Sequence, residues 1–278
     1  MYEQLEAQLH DVFWAADENG SKEIGLIKGL LSESSGKSLE LGCGSGRVLA
    51  PLLERGYQVD GLERSETMVR LCHQNLEKAE LQTTVHEMDM QHFDLGGKRY
   101  QNILIPAFSL QLLPNQAAVD ECLDRVFDHL EPGGNLYFSV FIPWAELLGE
   151  LPEDEWYDDA EVDLKGGGKA RLKTSFALHL MEQRLMREHQ YELLDAEGNV
   201  TQQEHTAMPI RFFYLNELRL ILSRKLFRIL HVFPDFEPRQ IGDHEMPACL
   251  SIVARRRRSL AQRREGDQSL QGSELEQF

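Results

Sequence analysis

Ser38-Leu39-Glu40-Leu41-Gly42-Cys43-Gly44-Ser45-Gly46 is the stretch that decides the fold. A short buried run ends in three glycines at alternate positions and feeds Arg47 to Arg55, which reads as a helix stopped by Gly56. Glycines placed this way let backbone approach a ligand at the carboxyl edge of a sheet. The same alternation continues downstream. Tyr57 to Leu62, Thr83 to Glu87 and Asn102 to Pro106 read as strands, with Ser65 capping an intervening helix through Glu80. Asn115 caps a helix through Leu130 that Glu131-Pro132-Gly133-Gly134 terminates, and Asn135 to Ile142 is an apolar fifth strand. This succession predicts an α/β, doubly wound domain with a largely parallel sheet.

Working outward, residues 1 to about 31 show helical spacing of Leu5, Leu9, Val12 and Phe13, then Ile24, Ile27, Leu30 and Leu31. Asn19-Gly20-Ser21 is expected to break this run, with Ser21 capping a second helix and Glu23 in its first turn. After Pro143 the strand–helix rhythm stops. A Trp/Pro/acid-rich loop and the run Gly166-Gly167-Gly168 precede three alternating stretches, Ala170 to Leu180, Arg184 to Leu194 and Val200 to Arg211. Asp195-Ala196-Glu197-Gly198-Asn199 reads as a hairpin turn, so an inserted antiparallel sheet is predicted. Asn216 to Lys225 returns to helix, and Phe227 to Phe233 and Ala248 to Arg255 to strand. The expected organisation is a helical cap (1–36), a nucleotide-type domain (37–142 and 213–256), an inserted substrate or oligomerisation subdomain (143–212) and a polar, disordered tail (257–278).

The 46 acidic against 29 basic residues give a net charge of −17, which repels phosphate backbones and disfavours nucleic acid. One basic cluster, Arg255-Arg256-Arg257-Arg258 with Arg263-Arg264, reads either as a solvated tail or as a docking element. Cys43, Cys72, Cys122 and Cys249 are too widely spaced for a disulfide framework or a zinc site, and no metal is expected. No apolar run reaches the roughly 18 residues a bilayer span needs. A cytoplasmic protein without membrane contact is the expectation.

Two details choose among ligands for the loop. Its spacing is G-x-G-x-G (Gly42, Gly44, Gly46), not the G-x-G-x-x-G of dinucleotide pyrophosphate sites, and no Gly-Lys-Ser/Thr follows. Glu40 stands two residues before the first glycine, where a carboxylate opposes a pyrophosphate but suits an ammonium and a sulfonium. S-adenosylmethionine carries both. Glu63 ends the second strand about twenty residues on, where an acid accepts from ribose hydroxyls. Asp89 after the third strand could accept from the adenine amine, with Met68 or Met90 on the ring face.

Taken together, Glu40 to Gly46, Gly61-Leu-Glu-Arg-Ser-Glu-Thr-Met68, Asp89-Met90 and Leu130-Glu-Pro-Gly-Gly134 resemble successive motifs of class I S-adenosylmethionine-dependent methyltransferases. The resemblance runs from Lys37 to Ile142, resumes over Tyr214 to Arg255, and is nearest to small-molecule enzymes of the amino-sugar or glycine N-methyltransferase kind. Asp11-Val12-Phe13-Trp14 is similar to the aromatic helix that covers the cofactor in them. It implies a Rossmann-like sheet of seven strands with the last antiparallel, Glu40 near the methionine amino group, and Ile105-Pro106 and Phe108 facing the methionine. Gln101 stands where the family often has aspartate, and Leu226-Phe227 where Gly-Phe is common, read as a packing change.

Methyl transfer needs alignment and exclusion of water more than proton chemistry. The nucleophile's proton acceptor is not identified by the sequence; His10, His179, His189 and His205 are candidates. Trp14, Trp144, Tyr157, Arg211 and Tyr214 are candidate acceptor-site residues, and the acids around Trp156 suggest a lid suited to a cationic acceptor. The predicted function is transfer to nitrogen or oxygen of a small molecule, with a possible homodimer through the inserted sheet. An RNA or protein methyltransferase, a catalytically inactive S-adenosylmethionine-binding scaffold and an NAD-dependent oxidoreductase are the competing readings.

Overall fold

The computed structural model describes residues 4–16 and 18–257. In chain order the elements are α1 (Gln4–Ala16), α2 (Glu18–Ser32), β1 (Ser38–Leu41), α3 (Leu49–Glu54), β2 (Val59–Glu63), α4 (Glu66–Lys78), β3 (Val85–Glu87), β4 (Tyr100–Ile105), α5 (Gln116–His129) and β5 (Leu130–Phe141). There follow α6 (Trp144–Leu147), β6 (Tyr157–Asp163), β7 (Lys169–His179), β8 (Arg184–Leu194), β9 (Val200–Arg211), α7 (Leu215–Arg224), β10 (Phe227–Pro234) and β11 (Cys249–Arg256).

Seven strands form the main sheet in the order β10-β11-β5-β4-β1-β2-β3. β11 runs antiparallel to both neighbours and the remaining adjacent pairs are parallel, as expected. β1 and β2 are buried along their whole length because helices cover both faces. One face packs Leu39, Leu41, Ile103, Phe138 and Ile252 under α5 and α7; the other packs Val59, Leu104, Tyr137 and Val253 under α2, α3 and α4. Strand order reverses between β1 and β4, so their carboxyl ends diverge and leave a crevice there.

The inserted sheet has four strands, β6-β7-β8-β9, all antiparallel. Its first strand lies inside the acid-rich stretch expected to be loop. β6 is an edge strand, and exposed acids such as Asp158, Glu161 and Asp163 suit an edge because they discourage further pairing. Phe176, Leu185, Ile210 and Phe212 pack this sheet against Phe141 and Leu112 of the main domain. Gln111 ties the two together: its Nε2 donates to the carbonyls of Phe141 and Arg211, and its Oε1 accepts from the Phe141 N–H.

At the amino end, α2 begins at Glu18 rather than at Ser21. Gly20 is therefore inside a helix, where a Cβ would come within 2.8 Å of the Arg47 guanidinium, and Glu23 is buried mid-helix rather than a first-turn charge. α1 packs Leu5 and Leu9 on Ala170 and Tyr191 of the second sheet. Leu226, in the place read as a packing change, has φ of 59°, the left-handed region that favours glycine after a helix. Arg255 donates to Asn135 and Arg256 lies over the Phe127 ring, so these two members of the basic cluster belong to the last strand. The tail from 258, with Arg258, Arg263 and Arg264, lies outside the described residues. Among those residues no helix is long and apolar enough to cross a membrane.

Candidate active site

The crevice between the ends of β1 and β4 opens into a cleft of about 410 Å³ that continues to the inner face of the second sheet. Glu40, Gly42, Gly44, Glu63, Asp89, Met90, Phe108 and Trp14 all line it. At its floor, Gly42 and Gly44 adopt φ of 71° and 53°, and the Gly42 N–H donates to the Leu62 carbonyl at 2.7 Å. A Cβ on Gly42 would press on the Ser109 side chain at 3.1 Å, so close approach as well as backbone sign requires glycine.

Glu40 is fully buried, and its Oε2 has no hydrogen-bond partner. Burial pushes its carboxyl well above the ordinary range, with the Arg47 guanidinium opposing this and Glu23 and Glu63 adding to it. A buried acid with an unpaired oxygen beside a cleft fits a ligand that brings its own ammonium. Glu63 is engaged on the loop itself: Oε2 accepts from the Gly44 N–H (3.1 Å) and Oε1 from the Ser65 N–H (2.8 Å). Asp89 serves partly as a turn residue, accepting from the Gln91 N–H at 2.8 Å, with Arg64 at 3.8 Å.

Beyond β4, Ala107 and Phe108 are consecutive left-handed residues, φ 53° and 61°. Non-glycine residues hold this backbone only where the surroundings over-determine it. Here the Glu23 carboxylate accepts the Ala107 N–H at 3.1 and 3.2 Å, and Ser139 Oγ accepts the Phe108 N–H at 3.3 Å. Glu23 also accepts from Ser139 (2.6 Å) and Tyr137 (3.0 Å), while burial works to raise its pKa. A residue of the amino-terminal cap thus shapes the backbone at the cleft.

α1 closes one side with Glu6, His10, Phe13 and Trp14. Asp11 holds it to the glycine loop by accepting from Ser45 Oγ at 2.5 Å. Burial works to raise the Asp11 carboxyl, yet the His10 and Ser45 hydrogen bonds keep it below its ordinary value. Arg47 stacks over Trp14 at 4.5 Å. Glu204 of β9 caps the same helix, its two oxygens accepting the N–H groups of Leu5 (2.8 Å) and Glu6 (2.9 Å).

The second sheet supplies the opposite wall: Asp159, Leu172, Arg187, His189, Tyr191, Met208 and Ile210. Arg187 is tied to the buried Glu146 and lies over the Phe141 ring.

Several expected site residues stand elsewhere. Gly46 is in the loop but faces Cys72; Met68 is fully buried beneath it at the capped start of α4; Ile105 is core, and Pro106 takes its place in the lining. Trp144 donates from Nε1 to the Pro247 carbonyl, and Tyr157 packs in the intersheet cluster. Arg211, the last residue of β9, pairs with Glu217 of α7 at 2.6 Å, and Tyr214 is exposed beside Trp144. None of these four lines the cleft: Trp144, Tyr157 and Arg211 are engaged in other contacts, and Tyr214 stands at the surface. Trp156 lies tilted beside His205 of β9, and of its acidic neighbours only Asp159 reaches the cleft. Of the four histidines, His10 and His189 line it, and His179 and His205 do not. Arg47 and Arg187 escaped the sequence reading, and Glu23 was read only as a first-turn charge, because an isolated charge in a turn, helix or strand carries no spacing signal.

Residues 39–134 match the family described as methyltransferase domain. The chain is 27% identical over 129 residues to YqeM of Bacillus subtilis (strain 168), 46% of this chain and 51% of that protein. It thus spans about half the length of this relative. It is 27% identical over 180 residues to the dTDP-3-amino-3,4,6-trideoxy-α-D-glucopyranose N,N-dimethyltransferase of Streptomyces venezuelae, 63% of this chain and 71% of that one. Among solved structures, an S-adenosylmethionine-dependent methyltransferase from Clostridium acetobutylicum ATCC 824 superposes with a TM-score of 0.75 at 12% identity, covering 90% of this chain and 97% of the other. At that identity the likeness is one of fold.

Proposed function

We propose that this chain, built on a class I S-adenosylmethionine-dependent methyltransferase domain at residues 39–134, transfers a methyl group to an amine nitrogen of a small molecule. The observation that carries the reading is the continuity of the cleft. One end has an unpaired buried carboxylate at Glu40 and a glycine floor; the other is a wall of apolar and ionisable side chains from a separate sheet. S-adenosylmethionine, when bound, supplies an electrophilic methyl whose leaving group is a neutral thioether. The residues present fit it: Glu40 would take the ammonium, Arg47 would offer charge to a carboxylate, Glu63 and Asp89 would hold ribose and adenine, and Met90 would pack on the ring.

In this reading residues 143–212 are the acceptor-binding subdomain. Its cleft face mixes Leu172, Met208 and Ile210 with Asp159, which suits a compact body bearing an amine. The similarity to an amino-sugar N,N-dimethyltransferase supports the same class of acceptor. Alignment of nucleophile, methyl and sulfur, with water excluded by α1, is what the protein contributes.

Calorimetry with S-adenosylmethionine and with NAD is the first test, followed by S-adenosylhomocysteine release in the presence of amine or hydroxyl acceptors. Micromolar S-adenosylmethionine binding with no NAD binding, and release driven by amines, is expected. Binding of NAD, or release driven only by hydroxyl compounds, would defeat the reading.

A further inference from the structure

β6 and β7 pair regularly through Asp158 and again from Ala160, with a bulge between them. A bulge adds one residue to a strand and re-aims its side chain. The added residue is Asp159, which lines the cleft and accepts a hydrogen bond from Thr174 Oγ1 at 2.7 Å. Thr174 is fully buried on β7 and is the register partner of His189 on β8. Its Oγ1 lies 3.0 Å from His189 Nδ1.

These three residues fix a proton. A threonine hydroxyl carries one hydrogen, and a carboxylate only accepts. With that hydrogen given to Asp159, Oγ1 must be the acceptor toward His189, so the imidazole proton sits on Nδ1. Nε2 keeps its lone pair on a ring that lines the cleft. This is the arrangement by which one ring nitrogen's partner sets the role of the other.

We infer that His189, oriented by Thr174 and Asp159, accepts a hydrogen bond from the N–H of the amine to be methylated. The inference rests on the N-methyl transfer proposed above. Burial and the charge of Arg187 hold the imidazole down to about 4, with Asp159 working the other way, so the ring is neutral at physiological pH. The charged and titratable groups of the cleft on this side are Asp159 on β6, Arg187 and Tyr191 on β8, and Glu6 and His10 on α1. Arg187 is already paired with Glu146 of α6, which leaves a neutral acceptor and a carboxylate for the incoming amine.

Holding the N–H fixes the direction of the nitrogen lone pair. That pair forms the new C–N bond while the S–CH₃ bond breaks and its electrons stay on sulfur. The extra proton on the product nitrogen then leaves to water along the cleft. His189 needs to take no proton, in keeping with its low pKa.

The test has two arms. Nitrogen-15 imidazole spectra of the full chain are expected to show His189 protonated on Nδ1. Asp159→Asn should reverse the chain, because an amide can donate to Oγ1, and should move the proton to Nε2. With dTDP-3-amino-3,4,6-trideoxy-α-D-glucopyranose and simple primary amines as probes, His189→Leu is expected to lower kcat about 100-fold, as for a misplaced nucleophile. S-adenosylmethionine affinity should be unchanged, and His189→Gln, with an acceptor oxygen near the Nε2 position, should recover part of the loss. A wild-type proton on Nε2 overturns the inference whatever the probes do. Amine turnover indifferent to His189→Leu overturns it alone; turnover confined to hydroxyl acceptors removes the N-methyl reading, and this inference with it.

Discussion

At the scale of single residues, the proposed cofactor site rests on Glu40. A carboxylate buried with an open oxygen is costly until a donor arrives. Glu40→Gln removes a charged hydrogen bond worth about 2 kcal/mol and is expected to weaken S-adenosylmethionine binding by about 30-fold in calorimetry. An unchanged Kd would place the ammonium elsewhere. Glu40 was legible because an acid two residues before a glycine loop is chemically odd for a phosphate ligand. Glu63 and Asp89 were legible as strand ends, and all three reach the cleft. Met68 and Ile105 carried the right neighbourhood but the wrong depth, since spacing tells which turn a residue occupies and not which way it faces. The acceptor wall was harder. The two-residue period puts Arg187, His189 and Tyr191 on one face of β8, but with polar groups on both faces alternation could not say that this face meets the cleft.

At the scale of elements, α1 depends on contacts from outside itself. Its first amide groups are capped by Glu204 of the second sheet, and its middle is held by Asp11 to Ser45 of the glycine loop. Loss of a cap costs a helix about 0.5–2 kcal/mol. Glu204→Ala is therefore expected to speed amide exchange across residues 5–16 and to raise the off-rate of S-adenosylhomocysteine, with α2 unaffected. Exchange that stays at wild-type rates would mean the cap is redundant. The helical character of both segments was legible from their periodicity. The break between them was misjudged because Gly20 looked like a turn residue, whereas it is small to admit Arg47. β6 was missed for a related reason: its acids belong to an edge, and composition reads such an edge as loop.

At the scale of the whole molecule, two buried carboxylates tie stability to pH. Glu23 and Glu40 both have pKa values raised by burial. A raised folded pKa gives stability that is present below the unfolded value and is lost as pH rises through the folded one. In the proposed site, bound S-adenosylmethionine would offset the loss at Glu40 by pairing with the ionised form. The rise in Tm on adding S-adenosylmethionine is thus expected to be larger at pH 7.5 than at pH 5.5, a range in which an α-amino group of pKa about 7.7–8.0 is still largely protonated. A shift independent of pH, or a pH dependence that persists in Glu40→Gln, would contradict this coupling. Asp11 has the opposite sign: its lowered pKa makes its contact with Ser45 stabilising above the unfolded value and lost in stronger acid. The strands of the main sheet were legible in order and number, but β5 begins at Leu130 and takes in Glu131-Pro132-Gly133-Gly134, which composition reads as a turn. How the second sheet docks was not legible, because the joint is made by Gln111 and a few apolar residues far apart in sequence.

The double attachment of α1 bears on the order in which molecules enter and leave. The same helix carries Asp11, bound to the glycine loop, and Phe13, which lies against Tyr191 of the second sheet. If the cleft works as proposed, exchange of the methyl donor loosens that helix, and a loosened helix leaves the acceptor's compartment without one wall. Donor first and acceptor second, then methylated product out before spent donor, is the sequence this imposes. Steady-state kinetics should show it as compulsory-order behaviour, with S-adenosylhomocysteine competing against the donor alone.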